Sequence, residues 1–436
     1  MNLTIHRGTN EIGGSCVEVS TEKTHILVDF GMPLVSPKDK KQKLDTRDFK
    51  KLKLSDLLKM GILPDIPGLY DPKESCDISA IVLSHPHQDH YGLLTYVRKD
   101  IPIYIGIYAK RLIDASDIFL PTKMGLKNTI PINPGEAFRL GADIKVTPYL
   151  MDHSAFESLS FLIEADGKRV FYSGDFRAHG RKSALFERFV KNPPKNVDKL
   201  LMEGTVLGSS SHESFTEDQI ENKIIETANK YKGLKLIAAS GQNIDRIVSF
   251  YRAAVRTNRY LVVDLYIAYV LHALGYEKIP HPGSTFKNMK ILYTHNYAQK
   301  IVDVGGRDLL IKWNKEKVKP NEIAQNPGKY LLFYRKAFEN TISKIKNFKD
   351  AVMIYSMYSG YRKEDSFKET QKFLDINGIK LESIHTSGHA DIPALKRFAK
   401  AINPKKTIPI HTFHKEDYKQ IFSNVLELED GKTYLV

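Results

Sequence analysis

The sequence predicts an α/β protein of more than one domain, with functional side chains at the ends of short strands. Three observations predict it. Apolar runs of strand length recur along the chain with helical segments between them. Histidines and carboxylates stand just after many of those runs. The length, 436 residues, is enough for roughly two or three domains with ample core.

Bulk properties narrow the class. Lys plus Arg number 65 against 51 Asp plus Glu, giving a formal charge of +14. Such a balance favours polyanionic partners, nucleic acid first and an anionic membrane surface second. The two cysteines, Cys16 and Cys76, form no CxxC pair. That argues against a disulfide scaffold or a cysteine zinc site and suits a reducing cytoplasm. The N-terminal residues hold no long apolar run, and no later segment approaches the about 20 apolar residues of a membrane span. A soluble, cytoplasmic protein is expected.

Taken in order, residues 3–6, 12–19 and 25–31 read as strands. Gly13 and Gly14 either let backbone pass close to a site or a substrate phosphate, or form a simple bulge. The lysine-rich run 38–43, followed by Lys50, Lys51 and Lys53, reads as a solvated arm ahead of a polyanion contact. Residues 80–83 are continuously apolar, as in a strand buried on both faces. Residues 91–97 read as the start of a helix. Between them lies Ser84-His85-Pro86-His87-Gln88-Asp89-His90, at a strand's C-terminal tip, where α/β folds place their sites.

Residues 101–105 then form a strand and residues 109–119 a helix. Residues 145–149 lead to His153. A hairpin pairs 159–163 with 169–172 through Asp166-Gly167 and ends in Ser173-Gly174-Asp175. The strand 199–202 ends in Glu203-Gly204-Thr205. From 206 to 364 helix and strand alternate. Thr216 and Gln219 fit a capping box, and strands follow at 234–238, 260–265, 291–294, 330–334 and 352–356. This is a compact unit with a parallel sheet. Residues 365–436 return to strand and helix. A helix at 367–377 and a strand at 381–384 lead to Ser387-Gly388-His389. A helix at 393–401 and a strand at 407–410 lead to His411, and a strand at 433–436 closes the chain.

Imidazole and carboxylate donors suit zinc, with manganese as the alternative. The economical model is dinuclear. One ion is held by His85, His87 and His153, the other by Asp89, His90 and His411, with Asp175 bridging. Two ions about 3.5–4 Å apart share a hydroxide and clamp a phosphoryl oxygen. Metal binding brings the pKa of the water towards about 7. Glu203 would accept a histidine N–H and fix its tautomer. His389 would protonate the leaving alkoxide or contact the phosphate. Asp89, Glu203 and His389 are therefore the candidate catalytic residues. His6, His25, His179, His212, His272, His281 and His295 lack such company and read as structural. His385 and His414 stay open.

The order of these motifs resembles the β-CASP branch of the metallo-β-lactamase superfamily, the group of RNase J and the cleavage/polyadenylation nucleases. Residues 84–90 match the signature loop, His153 the third motif and Ser173-Gly174-Asp175 the fourth. Glu203-Gly204-Thr205 looks like the branch's motif A, Ser387-Gly388-His389 its motif B and Ile408-Pro409-Ile410-His411 its motif C. The resemblance implies a metallo-β-lactamase αββα sandwich, residues 1–205 and 365–436, with an inserted β-CASP α/β domain, residues 206–364. It assigns Asn243 and Arg246, with Ser387, Gly388 and His389, to substrate binding. In the family, histidine at motif C accompanies RNA-processing members and valine the DNA-repair members, so His411 points to RNA. Thr412-Phe413 departs from the Gly-Glu that often follows that histidine.

The expected protein is a ribonuclease with two zinc ions per chain, cleaving RNA in the groove between its domains by metal-activated hydroxide. Cleavage would be internal, from a 5′ end, or both. RNA stands ahead of single-stranded DNA as partner, no membrane is involved, and a homodimer is left open. Two other readings are a metal-dependent hydrolase of a small ester or nucleotide, and a catalytically inactive nucleic-acid-binding protein.

Overall fold

The computed structural model describes residues 1–39, 42–44, 49, 51–121, 123–208 and 214–436. His212 and three lysines of the charge run, Lys40, Lys41 and Lys50, lie outside the described residues. The chain forms two compact units, one of Met1–Asp114, Thr122–Glu213 and Gly388–Val436, the other of Ala115–Pro121 and Ser214–Ser387.

The first unit holds two sheets. One contains β1 (Asn2–Arg7), β2 (Cys16–Ser20), β3 (His25–Val28), β4 (Ile78–Val82), β5 (Ile103–Gly106) and β6 (Thr129–Ile132), with β20 (Thr433–Leu435) on the edge beside β1. Its pairing is antiparallel through β1, β2 and β3 and parallel from β3 to β6. The other contains β7 (Phe138–Leu140), β8 (Ile144–Met151), β9 (Ser158–Ala165), β10 (Lys168–Tyr172), β11 (Lys199–Glu203) and β19 (Lys406–Ile410). Here β10, β11 and β19 run parallel.

The burial pattern of β4 follows from its place. Successive side chains of a strand face opposite ways. Ala80 and Val82 enter the core between the sheets with Val17, Ile26, Val146, Phe161 and Ile408. Ile81 enters a second core on the outer face, with Leu57, Leu94 and Ile113. On the far side of the second sheet, Phe171 and Met202 pack against Phe186 and Phe398 of the helices Ser183–Lys191 and Ile392–Ile402. The layers are helix, sheet, sheet, helix, the expected αββα sandwich. The β9–β10 hairpin turns at Asp166 and Gly167, with φ of 50° and 68°. A two-residue turn of this hand needs positive φ at both positions, which Asp-Gly supplies.

The second unit is one sheet of seven parallel strands: β12 (Lys235–Ala238), β13 (Tyr260–Asp264), β14 (Met289–Leu292), β15 (Lys317–Val318), β16 (Tyr330–Phe333), β17 (Val352–Tyr355) and β18 (Lys380–Ser383). They lie in the order β15-β14-β13-β16-β12-β17-β18. The capping box closes as expected, with Thr216 accepting from the Gln219 amide and Gln219 answering. The unit's limits differ from 206–364. Phe373 and Leu374 of the helix Asp365–Ile376 share a core with Met353, and β18 extends the parallel sheet beside β17. The alternation of helix and strand therefore runs on to Ser387, and no shift in composition at 365 marks a boundary.

Candidate metal centre

Six elements of the first unit deliver the candidate ligands. His85 and His87 follow β4. The helix expected over 91–97 instead spans Gln88–Tyr91, so Asp89 and His90 lie in its only turn. It stops at Gly92, where a Cβ would collide with the Gln88 carbonyl and crowd Met32. His153 follows β8, Asp175 follows β10, Glu203 ends β11 and His411 follows β19. His389 is the exception to the strand-end rule. The strand before it, β18, belongs to the sheet of the other unit.

These side chains converge. Ring-nitrogen and carboxylate donors gather in three groups: His85, His87 and His153; Asp89, His90, Asp175 and His411; and Asp175, Glu203, His389 and His411. Within each group the donor atoms lie within 4.8 Å of one another. The Asp175 carboxylate is central. It lies 3.2 Å from His90 Nε2, 3.6 Å from His389 Nδ1, 3.7 Å from His85 Nε2 and 3.9 Å from His411 Nδ1. His87 Nδ1 and His153 Nε2 are 3.2 Å apart. His411 Nε2 lies 3.4 Å from Asp89 Oδ2.

Four of the histidines are oriented from behind. The His153 Nδ1–H donates to the Gly388 carbonyl at 2.5 Å, and a Cβ at Gly388 would push into Ser154 and crowd His153. The His90 Nδ1–H donates to Asp29 Oδ2 at 2.8 Å. Asp29 is buried, with φ at 60°, and also accepts from the Tyr172 hydroxyl and from the amide and hydroxyl of Ser84, each at 2.7 Å. Thr205 Oγ1 lies 2.9 Å from His411 Nδ1 and donates to Glu203 Oε2 at 2.7 Å. Glu203 Oε1 accepts from the Phe176 and Ala390 amides, and its Oε2 faces His389 Nδ1 at 3.2 Å. Gly13, at φ 80°, brings its amide to 3.0 Å from His411 Nε2, and a Cβ there would run into Asp89 and Leu34. Its role is close approach to the site.

The electrostatics separate the histidines into two kinds. Burial holds His85 and His153 well below the ordinary histidine value and His87 at about 4, aided in each case by neighbouring histidines. These three present unprotonated nitrogens at neutral pH, the form that binds a cation. Burial opposes protonation of His90 and His389 too, but carboxylates outweigh it. Asp175 and Asp29 raise His90 well above its usual value, and Glu203 with Asp175 raises His389 to about 9. Burial is likewise outweighed at Asp175, where His411, His90 and His389 hold the carboxyl well below its usual range.

Among the described residues, two buried atoms of these candidate ligands make no hydrogen bond: His85 Nε2 and Asp175 Oδ1. A buried polar atom without a partner is costly. Here both belong to donor groups of the composition zinc prefers, so the residues present fit a divalent cation.

The remaining expected site residues fall elsewhere. Arg246 is fully buried. It grips Glu217 through Nε at 3.2 Å and Nη2 at 2.9 Å, and it reaches Ser356, His385 and the Thr386 carbonyl. Its donors are thus committed inside the second unit. Asn243 accepts from the Arg246 amide at 3.0 Å and caps the helix Ile244–Arg256. Ser387 is half-buried at the end of that unit. Among the other histidines, His6 and His25 share Glu18, each at 2.7 Å. His272 packs on Trp313, and His414 lies 3.8 Å from Asp417. Asp29 and Tyr172 support the centre without having stood out in sequence. The one trace of Asp29 is its place at the end of the apolar run 25–28.

Comparison with known proteins agrees with this geometry. Residues 61–233 match the family model of a β-lactamase superfamily domain, and residues 378–427 that of a Zn-dependent metallo-hydrolase RNA specificity domain. Ribonuclease J of Helicobacter pylori (strain B128) is 23% identical over 93% of this chain and 55% of its own length. The transcription termination factor FttA of Thermococcus kodakarensis is 24% identical over 94% of this chain and 66% of its own. An RNase J-like protein of Methanocaldococcus jannaschii is 26% identical over 94% of this chain and 92% of its own. The chain thus spans little more than half of the ribonuclease J it matches. A crystal structure of a protein of unknown function from Enterococcus faecalis V583 shares the fold across the whole chain, with a TM-score of 0.80 at 20% identity. Among the described residues, no helix is long and apolar enough to cross a membrane.

Proposed function

This chain belongs to the β-CASP branch of the metallo-β-lactamase superfamily, and we propose on that premise that it is a metal-dependent ribonuclease. The observation that carries the reading is the meeting of His85, His87 and His153 with Asp89, His90, Asp175 and His411, two donor groups set side by side with buried donor atoms unpaired. Our reading is two zinc ions per chain, with manganese as the alternative: His85, His87 and His153 would hold one, and Asp89, His90 and His411 with Asp175 would hold the other. RNA is the substrate we favour. The RNA specificity domain match includes His411, and relatives over nearly the whole chain are named ribonuclease J.

Bound zinc would supply positive charge for a phosphoryl oxygen and lower the pKa of a coordinated water towards about 7. The chain's own residues do the rest. Asp29, the Gly388 carbonyl and Thr205 fix the rings of His90, His153 and His411. Glu203 holds the Nδ1 proton of His389, which leaves its Nε2–H to be given to the departing oxygen of the cleaved strand. Asp89, held by His411, lies among the donors as an acceptor for a proton at its carboxylate.

The test uses pure protein with zinc or manganese and two labelled RNAs, one with a 5′ monophosphate and one with a blocked 5′ end. A matching single-stranded DNA is the control. Metal-dependent cleavage of RNA ahead of DNA supports the reading. Mononucleotides from the monophosphate RNA alone mark a 5′ exonuclease, and internal fragments from both mark an endonuclease. No cleavage of any strand rejects it.

A further inference from the structure

The turn that follows β17 presents aromatic surface to solvent. Tyr358 is 62% exposed and Tyr361 48%. Their rings meet edge to face at 5.6 Å. The turn is fixed from within the unit. The Tyr361 amide donates to the Tyr358 carbonyl at 3.2 Å, and the hydroxyl of the buried ring Tyr355 donates to the same oxygen at 3.2 Å. A Cβ at Gly360 would strike the Tyr358 ring, so glycine leaves that ring its place. Arg362 lies across the base of the turn, 6.0 Å from the Tyr355 ring and 5.8 Å from that of Phe367, and donates to Ser383 Oγ. Lys363 follows, exposed.

One exposed ring is ordinary on a protein surface. Two rings held against each other on a braced turn, followed at once by two cations, are a pattern matched to unpaired nucleotides. Ring faces stack on bases without regard to sequence, and cations beside them take the phosphates. A duplex hides its base faces and gains nothing from the rings. The chain's net charge of +14 favours a polyanion at such a surface over a basic or neutral protein partner. We propose that Tyr358, Tyr361, Arg362 and Lys363 form a stacking platform for the unpaired nucleotides of an RNA strand. The proposal rests on the ribonuclease reading, and it adds a second place of contact on the substrate.

The zinc-loaded protein is compared with Tyr358→Ala/Tyr361→Ala, Tyr358→Phe and Tyr358→Trp, using a single-stranded RNA of 12 or so nucleotides and its duplex. The double variant is expected to raise KM for the single strand by about ten-fold or more, as loss of base stacking does, with kcat unchanged and the duplex unaffected. Tyr358→Phe keeps the ring and the wild-type KM. Tyr358→Trp reports stacking directly, since the one native tryptophan, Trp313, is buried. Single-stranded RNA should quench the new emission and duplex should not. An unchanged KM in the double variant while the wild type cleaves RNA overturns the platform and leaves the ribonuclease reading intact. So does loss of self-association in that variant without loss of RNA affinity. A wild type that neither binds nor cleaves RNA removes both.

Discussion

The His90 ring is held from two sides: Nδ1 donates to Asp29 Oδ2 at 2.8 Å while Nε2 stands 3.2 Å from the Asp175 carboxylate. Asp29 thereby fixes which nitrogen is offered to a cation. Asp29→Asn keeps the shape but replaces one acceptor oxygen with a donor. Zinc affinity should fall about 10- to 100-fold, the usual cost of such a change behind a metal ligand. Competition with a chromophoric chelator measures it, and an unchanged affinity would show that His90 needs no such hold.

His389 faces Glu203 but its loss should leave the other donor groups whole. His389→Ala is predicted to lower kcat on RNA by about 10²- to 10⁴-fold, the range of a lost proton donor. Metal content, measured by mass spectrometry, should match the wild type. A variant that loses zinc in step with activity would make His389 a ligand instead.

Arg246 and Glu217 pair bidentately with both side chains essentially without solvent exposure. Arg246→Met strands a buried carboxylate and should destabilise the fold by about 3–5 kcal/mol in urea titration. Adding Glu217→Gln should recover much of that loss. A residue that served the substrate instead would raise KM with little change in stability.

Glu157 sits under the helix Ile107–Phe119, with Oε2 accepting from the Tyr108 and Ala109 amides. Burial outweighs those amides and lifts its carboxyl from 4.5 to about 7. The folded protein therefore holds a proton that the unfolded chain has released, and stability falls as pH rises from about 4.5 to 7, by about 1.4 kcal/mol per unit. Glu157→Gln removes that dependence. Its melting temperature should match the wild type near pH 5 and exceed it at pH 8. A gap that stays constant across that range contradicts the assignment.

Much of the centre was legible because strand ends carry it. The apolar run before Ser84 and the spacing of His85, His87, Asp89 and His90 locate the loop without any partner. His153, Asp175, Glu203 and His411 each close a strand that the apolar pattern marks. The supporting contacts were not legible, because they join residues far apart in sequence. Asp29 meets His90 across 61 positions and Tyr172 across 143, and nothing in the local pattern of either announces the other. Arg246 lies in a segment that suits a substrate loop equally well, and its partner Glu217 stands 29 positions away, so the pairing leaves no local mark. The limit of the second unit was missed for a similar reason. The helix at 365–376 and β18 look the same in sequence whichever sheet they join, and the pairing of β17 with β18 is what assigns them.

We propose that the two adjacent groups of histidine and carboxylate donors hold metal for RNA cleavage. The most direct measurement pairs the zinc content of wild type, His87→Ala and Asp89→Ala with cleavage of one labelled RNA, before and after chelation and with zinc restored. Two zinc ions per wild-type chain are predicted, with cleavage lost on chelation and regained with zinc. Both variants should stay folded, carry less zinc and fail to cleave. Full activity in either variant, or cleavage that survives chelation, would rule out a metal-dependent centre at these residues.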